Sequence, residues 1–370
     1  MKKTLLTSLL IISAILSCNE TEESVTDIIE DNQSYSREVL LTNWYTHSIQ
    51  PRLSEFKNKL DVMVEASQTF VNNRSLSSLE DLRNKYIDAY VSWQRVEMIN
   101  IGKAEEIYYN SKMNIYPVNT NRINSNITSG TYDLSNANNN AAQGFPAIDY
   151  LLFGIDISNT AIIAKYSDEK YQKYLTDITA NMKLITSQVV NSWETYKNDF
   201  ISSTGNTATS SMNVMVNDFL FYYEKGFRAN KIGIPAGVFS ATSIPENVEA
   251  YYSRIYSKKL ALEAYEGIIE FYEGKGHDGK YYDGENLKSI IASLDENTGD
   301  NNLSNKISDK MGIAYEKIGE LDDDFVNQIS TDPLKLLSTY DAIQEVVVLL
   351  KVDMLQILSI NVDYIDADGD

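Results

Sequence analysis

The chain has 370 residues, of which 43% are hydrophobic, and its 32 basic and 52 acidic side chains give a formal net charge of −20. This length and apolar content support a sizeable core in one large domain or two medium ones. So negative a chain is unsuited to binding nucleic acid or docking electrostatically on anionic lipid.

The N-terminus has the pattern of an export signal. Two lysines precede a mostly apolar run over residues 5–16, which is too short for a transmembrane helix. The run ends in Ser17-Cys18, and a small residue followed by cysteine is typical of bacterial lipoprotein signals. Cys18 is the only cysteine, and lipidation would explain why it has no disulfide partner. We expect a signal peptide at 1–17, a lipid on Cys18 that anchors the protein to the outer membrane of the cell envelope, and a flexible polar tether at 18–36.

Beyond the tether, the sequence predicts an all-α fold, because apolar residues recur at helical spacing and only six prolines and 17 glycines interrupt them. The first predicted helix covers 37–72, with a kink or break at Pro51. The second begins at a cap formed by Ser77 or Ser78. Its apolar stripe consists of Leu79, Leu82, Tyr86, Ala89, Trp93 and Val96, with Glu97 one turn beyond Trp93.

An apolar stretch, Gly-Phe-Pro-Ala-Ile-Asp-Tyr-Leu-Leu-Phe-Gly, occupies residues 144–154. Gly144 allows a turn, Pro146 suits the first turn of a helix, and Gly154 suits the position just past its end. We therefore predict a short buried helix that contains one carboxylate, Asp149. A buried carboxylate requires a cation, a metal ion or several hydrogen-bond donors.

Most of the remaining sequence also predicts helices. They cover approximately 166–200, 212–231, 245–272, 285–296, 303–329 and 333–360. Residues 101–140, rich in Asn, Ser and Thr, predict a long irregular segment, and 202–211 is the best candidate linker. We predict an N-terminal helical bundle over 37–204, a C-terminal bundle over 205–361 and an acidic tail at 362–370.

Several blocks of this sequence resemble the imelysin family of bacterial envelope proteins, also classed as M75 peptidases. The family motif Gly-x-His-x-x-Glu is similar to residues 144–149, where Pro146 replaces the histidine and Asp149 the glutamate. Further similar blocks lie at 93–97 (Trp-Gln-Arg-Val-Glu), 116–117 (Tyr-Pro), 231–235, 248–253, 341–344 and 366–370. The resemblance implies two packed helical bundles with the motif near their interface, and an association with bacterial iron uptake.

The candidate ligand-binding residues combine this motif with nearby charges. Lys225, Arg228 and Lys231 repeat every three residues, so they are predicted to lie along one side of a helix. If they meet Asp149 and Glu97, they form either a buried salt bridge or a polar ligand pocket. The full candidate set is Trp93, Glu97, Gly144, Phe145, Pro146, Asp149, Lys225, Arg228 and Lys231.

Asp149 and Glu97 are also the candidate metal ligands, with tyrosine phenolates as further ligands for iron or another metal ion. His47 and His277 have no partner at metal-ligand spacing. Because Pro146 replaces the motif histidine, and neither Gly-x-Ser-x-Gly nor a reactive cysteine is present, we assign no catalytic residue. We expect a non-catalytic ligand- or partner-binding role in iron or haem uptake. The alternatives are a metallopeptidase of the M75 type and a surface scaffold for an outer-membrane receptor.

Overall fold

The structure is a computed structural model that describes residues 35–298 and 302–364. Outside these residues lie the predicted signal peptide at 1–17, the predicted lipid attachment site Cys18, most of the tether at 18–36 and most of the acidic tail at 362–370. Every regular element in the described part of the chain is a helix, apart from one isolated bridge between Lys275 and Tyr281. The predicted all-α fold is therefore confirmed.

The first half of the chain contains two long helical runs separated by shorter helices. In chain order the elements are α1 (Arg37–Asn43), a π-helical segment π1 (Trp44–Ile49), α2 (Gln50–Asn72), α3 (Leu76–Gln94), α4 (Lys103–Glu106), α5 (Tyr109–Met113), α6 (Thr120–Ser129), a 3-10 turn (Ala137–Ala142), α7 (Gly144–Asp149), π2 (Tyr150–Gly154), α8 (Asn159–Lys165) and α9 (Glu169–Ser202). The segment 101–140, predicted to be irregular, thus contains three short α-helices.

The second half contains α10 (Ser211–Phe221), π3 (Tyr222–Gly233), α11 (Ile234–Ala236), a 3-10 turn (Pro245–Asn247), α12 (Ser257–Glu273), α13 (Leu287–Thr298), α14 (Leu303–Gly319), α15 (Phe325–Thr331), α16 (Pro333–Val348), π4 (Leu349–Met354) and α17 (Leu355–Ile357). The single helix predicted at 245–272 is wrong, since its regular part begins only at α12. Left-handed backbone angles at Ala250 (φ 59°) and Arg254 (φ 70°) prevent an earlier start. The helix predicted at 303–329 is two helices, α14 and α15.

Two local sequence features shape the first long helices. Pro51 lies at the second position of α2, and the widened i→i+5 turn of π1 directly precedes it. This turn relieves the clash that the proline ring would cause in a regular α-helix. The cap of α3 is Ser75, not the predicted Ser77 or Ser78: its side chain accepts from the Ser78 N–H, and the Ser78 hydroxyl accepts from the Ser75 N–H.

The helices pack around one continuous hydrophobic core, and the described residues belong to one compact unit. In the first half α2 packs on α3 and α9, while in the second half α14 packs on α12 and α16. Helix α12 also packs on α3, which joins the two halves. The division into bundles at 37–204 and 205–361 stays a prediction.

Among the described residues, no single helix is long and apolar enough to cross a membrane. One pair of helical segments, Ala137–Gly154 and Asn159–Lys165, is long and apolar enough when the two are taken together, but the pair is bent by 116°.

Candidate functional site

Three charged side chains from distant parts of the sequence form a buried cluster, the Glu97–Lys231–Glu249 cluster. The ammonium nitrogen of Lys231, in π3, lies 3.2 Å from Glu97 Oε2 and 2.8 Å from Glu249 Oε2. All three residues are buried. Burial lowers the pKa of Lys231, but the two carboxylates outweigh it and hold this pKa above its ordinary value. The cluster therefore contains a charged ammonium that ties π3 to the end of α3 and to the segment before α12.

Neutral side chains complete the hydrogen bonding of the cluster. Asn114 Nδ2 donates to Glu97 Oε1 at 2.7 Å and to Glu249 Oε1 at 2.8 Å. Gln94 Nε2 donates to Glu249 Oε1 at 3.1 Å, and the Tyr222 hydroxyl donates to Glu97 Oε2 at 3.0 Å. This density of donors is what allows two carboxylates to remain inside the protein.

The motif helix α7 is buried along its whole length, as predicted for this part of the motif. The helical run continues as π2 through Gly154, which was predicted to lie just past its end, and π2 is buried only at Leu151 and Leu152. Gly144 has φ +75°, and a Cβ there would lie 2.2 Å from the Met113 carbonyl oxygen, so only glycine fits. Phe145 stacks on Tyr90 with 4.3 Å between ring centroids, and Trp93 packs beside it. Gly144, Phe145 and Trp93 therefore lie in the packed core.

Asp149, at the end of α7, is 1% exposed and binds backbone donors from the segment before α12. The Tyr252 N–H donates to Asp149 Oδ2 at 2.7 Å, and the Ser253 N–H donates to Oδ1 at 3.2 Å. Burial raises the pKa of Asp149 to about 6, against the opposing effect of the hydrogen bonds from Ser253 and Tyr252. The sequence required a cation, a metal ion or several hydrogen-bond donors for this carboxylate, and the structure supplies hydrogen-bond donors.

The three cations of π3 contact two separate groups of carboxylates. Lys231 contacts the cluster described above. Arg228 donates to the Tyr340 hydroxyl at 2.8 Å and to Glu224 Oε1 at 3.4 Å, and Lys225 Nζ lies 3.7 Å from the same Glu224 oxygen. The prediction that the three cations lie along one side assumed an α-helix. With i→i+5 hydrogen bonds, three residues turn through roughly two thirds of a circle. Lys225 and Arg228 still reach the same Glu224 oxygen, whereas Lys231 contacts Glu97 and Glu249.

Two cavities lie on either side of Tyr116, which contributes to both walls. The Asp149 cavity, of about 210 Å³, is lined by Pro146 and Asp149 from the candidate set. The Glu97 cavity, of about 230 Å³, is lined by Glu97 and Lys225. The structure therefore places the two predicted metal ligands on different cavities. Trp93, Gly144, Phe145, Arg228 and Lys231 are in neither wall.

Other potential metal ligands are also dispersed. No group of three or more His, Cys, Asp or Glu side chains in residues 35–298 and 302–364 is placed to hold one metal ion. The two histidines are nevertheless neighbours, since the His277 N–H donates to the His47 carbonyl at 2.7 Å. His277 Nε2 also lies 3.3 Å from Glu55 Oε2.

Sequence reasoning missed the roles of Asn114, Tyr222 and Glu249. Asn114 and Glu249 are 135 positions apart, and no spacing rule connects them. Glu249 lies in the block 248–253 that resembles the family, and this is the one signal that pointed to it.

The comparisons with known proteins agree with this architecture. The model of the imelysin family, Peptidase_M75, matches residues 49–352. An imelysin-like protein from Psychrobacter arcticum 273-4 has a similar structure, with a TM-score of 0.69 and 15% identity over 89% of this chain and 97% of that one. The putative iron-regulated protein A precursor of Parabacteroides distasonis ATCC 8503 gives a TM-score of 0.71 and 16% identity over 87% of this chain and 95% of that one.

At such low identity, these two structures show a shared fold alone. No curated protein matches the sequence. Because the family model spans most of its length, the chain belongs to the imelysin family.

Proposed function

We propose that this protein is a lipid-anchored binding protein of the bacterial envelope with a non-catalytic role in iron or haem uptake, and that the Asp149 cavity is its binding site. The observation that carries the proposal is the chemistry of the cavity wall. Its ionisable groups are all oxygen acids: the carboxylates of Asp149 and Glu246 and the phenols of Tyr116, Tyr251 and Tyr252. Carboxylate and phenolate oxygens suit ferric iron.

The solved relative from Parabacteroides distasonis is named an iron-regulated protein, which supports an association with iron for the shared family. Cavity size then helps to choose the ligand. Clefts that enclose drug-sized molecules measure about 300–1,000 Å³, whereas the Asp149 cavity measures about 210 Å³. This favours a ferric ion or a small ferric chelate over a whole haem inside the cavity.

The protonation state of the tyrosines that line the Asp149 cavity predicts how iron binding depends on pH. Burial raises the pKa of Tyr252 to about 12 and raises the pKa of Tyr116 well above its ordinary value. Both phenols are therefore protonated near neutral pH and must release a proton to ligate iron. Iron binding should consequently release protons and strengthen as pH rises.

The test uses the chain from residue 19 onward, purified without its signal and dialysed against ferric citrate or, separately, haemin. We expect about one equivalent of iron and a visible phenolate-to-iron charge-transfer band. Tyr252→Phe and Tyr116→Phe should each weaken or abolish the band. Tyr281→Phe is the matched control, because this tyrosine is 67% exposed and lies in neither cavity.

Two results would contradict the proposal. One is no retained iron or haem at any pH at which the protein stays folded. The other is iron retained equally by the wild type and both cavity variants, which would place the metal elsewhere.

A further inference from the structure

The Glu97 cavity is a separate site with different chemistry. It lies between the segment 110–116 and the junction of α10 with π3. Three aromatic side chains, Tyr116, Phe221 and Tyr222, form part of its wall. Its volume of about 230 Å³ suits a ligand of a few non-hydrogen atoms.

Two amides in this wall have acceptor oxygens that lack a hydrogen-bond partner in the described part of the chain. They are Asn100 Oδ1 and Asn110 Oδ1, and both atoms are buried. The orientation of Asn110 is fixed, because its Nδ2 donates to the Glu97 carbonyl oxygen at 2.8 Å. An unpaired buried acceptor costs about 1–3 kcal/mol, so the wall favours a ligand that carries hydrogen-bond donors.

The carboxylate of Asp218 determines which charge such a ligand should carry. Asp218 lines the cavity, and one of its oxygens accepts from the Asn100 backbone N–H at 2.7 Å. Burial, together with the nearby carboxylates of Glu105 and Asp363, raises the pKa of Asp218 to about 8, against the opposing effect of the Asn100 hydrogen bond. Of these three acids, only Asp218 lines the Glu97 cavity, because Glu105 and Asp363 line an adjoining cavity that shares Asn100, Asp218 and Phe221 with it.

Lys225, in the cavity wall, and Lys231, outside it, are each paired with a carboxylate. Lys225 Nζ lies 3.7 Å from Glu224 Oε1, and Glu224 is not part of the cavity wall. Glu97 is bound to Lys231 as described above. The Asp218 end therefore combines one carboxylate and two amide oxygens with aromatic walls, and aromatic faces attract cations.

We propose that the Glu97 cavity binds a small organic cation, a primary amine whose ammonium group donates to Asp218 and to the side-chain oxygens of Asn100 and Asn110. The aliphatic part of the amine contacts the aromatic wall. Because the cavity and its charges differ from those of the Asp149 cavity, the proposal stands whether or not iron binds there.

The experiment compares straight-chain primary amines, from methylamine to butylamine, with alcohols of equal length. Binding to the folded chain from residue 19 is followed by calorimetry and by NMR shifts. We expect the amines to bind and the alcohols not to bind. Because Asp218 must be ionised, amine affinity should rise roughly tenfold between pH 7 and pH 9. The binding enthalpy at pH 7 should also vary with the ionisation enthalpy of the buffer.

Variants separate this site from its surroundings. Asp218→Asn keeps an acceptor for the Asn100 N–H and should weaken amine binding at least tenfold and remove its pH dependence. Asn110→Leu should also weaken it. Glu106→Gln, at an exposed position outside the cavity, and Tyr252→Phe, in the Asp149 cavity, should leave it unchanged.

The proposal is overturned if no amine of the series binds at pH 9, or if the alcohols bind as well as the amines. Both comparisons use the wild-type protein, so they decide the matter even where a variant fails to fold. Unchanged affinity in a folded Asp218→Asn variant would also overturn it.

Discussion

At the residue scale, Lys231 neutralises two buried carboxylates at once. Lys231→Met would leave Glu97 and Glu249 facing each other without this cation. Because removing one partner of a buried ion pair is costly, we expect the free energy of unfolding to fall by about 3–5 kcal/mol. Urea denaturation measures this loss.

The matched control is Lys317→Met, which breaks an exposed pair with Glu320 and should cost less than about 1 kcal/mol. Similar losses in the two variants would show that the cluster contributes little.

A second residue, Asp149, should make stability depend on pH. Its pKa is about 6 in the folded protein, against an ordinary value of 3.8. The folded state therefore holds its proton to higher pH than the unfolded state does. The stability that Asp149 contributes is complete below about pH 4 and is lost as pH rises through about 6, a change of about 3 kcal/mol.

This effect is isolated by comparing the wild type with Asp149→Asn, which cannot titrate, by urea denaturation from pH 4 to pH 7.5. We expect the wild type to lose stability relative to the variant as pH rises. Asp309→Asn, at an exposed position, should give a curve parallel to that of the wild type. A wild type that gains stability relative to Asp149→Asn over this range would mean that hydrogen bonds from Tyr252 and Ser253 outweigh burial.

At the scale of elements, π3 sets the geometry of the Glu97 cavity. A Cβ on Gly226 would lie 2.5 Å from Cδ2 of the Tyr222 ring, whose hydroxyl donates to Glu97. We expect Gly226→Ala to displace this ring, to lower the free energy of unfolding by about 1–3 kcal/mol and to weaken amine binding.

Gly312→Ala in α14 is the control. It meets no atom within 4 Å and should stabilise the protein by about 0.5–1 kcal/mol. Equal effects of the two substitutions, measured by thermal denaturation, would contradict this account of π3.

The same element shows where prediction from sequence stops. Apolar periodicity placed a helix near 212–231, because burial of one face depends on local spacing. The side chains of π3, however, contact partners that lie far away in sequence: Tyr222 donates to Glu97, and Lys231 contacts Glu97 and Glu249. Local propensity contains no information about such contacts, so the partners of Tyr222 and Lys231 could not be predicted.

The buried motif helix was predictable for the opposite reason. Its glycine, proline and apolar residues act within a few positions of one another, and the structure confirms a helix that begins at Gly144 and is buried as far as Asp149. The donors to Asp149 come from Tyr252 and Ser253, about a hundred positions later. The sequence therefore indicated that this carboxylate needs partners, but it could not identify them.

At the scale of the whole molecule, a second charge network links the two halves of the chain. Glu270, on α12, lies 2.8 Å from the guanidinium of Arg52 on α2 and also binds Arg95, just after α3. Its other oxygen lies 3.0 Å from Lys275. Together with the continuous core, this network predicts that the helices before and after residue 205 unfold together.

Differential scanning calorimetry tests this coupling, because a single cooperative transition has equal calorimetric and van't Hoff enthalpies. We expect one peak for the wild type. Glu270→Gln leaves the buried Arg52 without its carboxylate and should cost about 3–5 kcal/mol. If the halves are coupled, the whole peak moves to lower temperature, whereas Glu320→Gln at the surface hardly moves it. Two resolved wild-type peaks would instead mean that the predicted bundles at 37–204 and 205–361 unfold separately. Glu270 would then join two domains that are each stable alone.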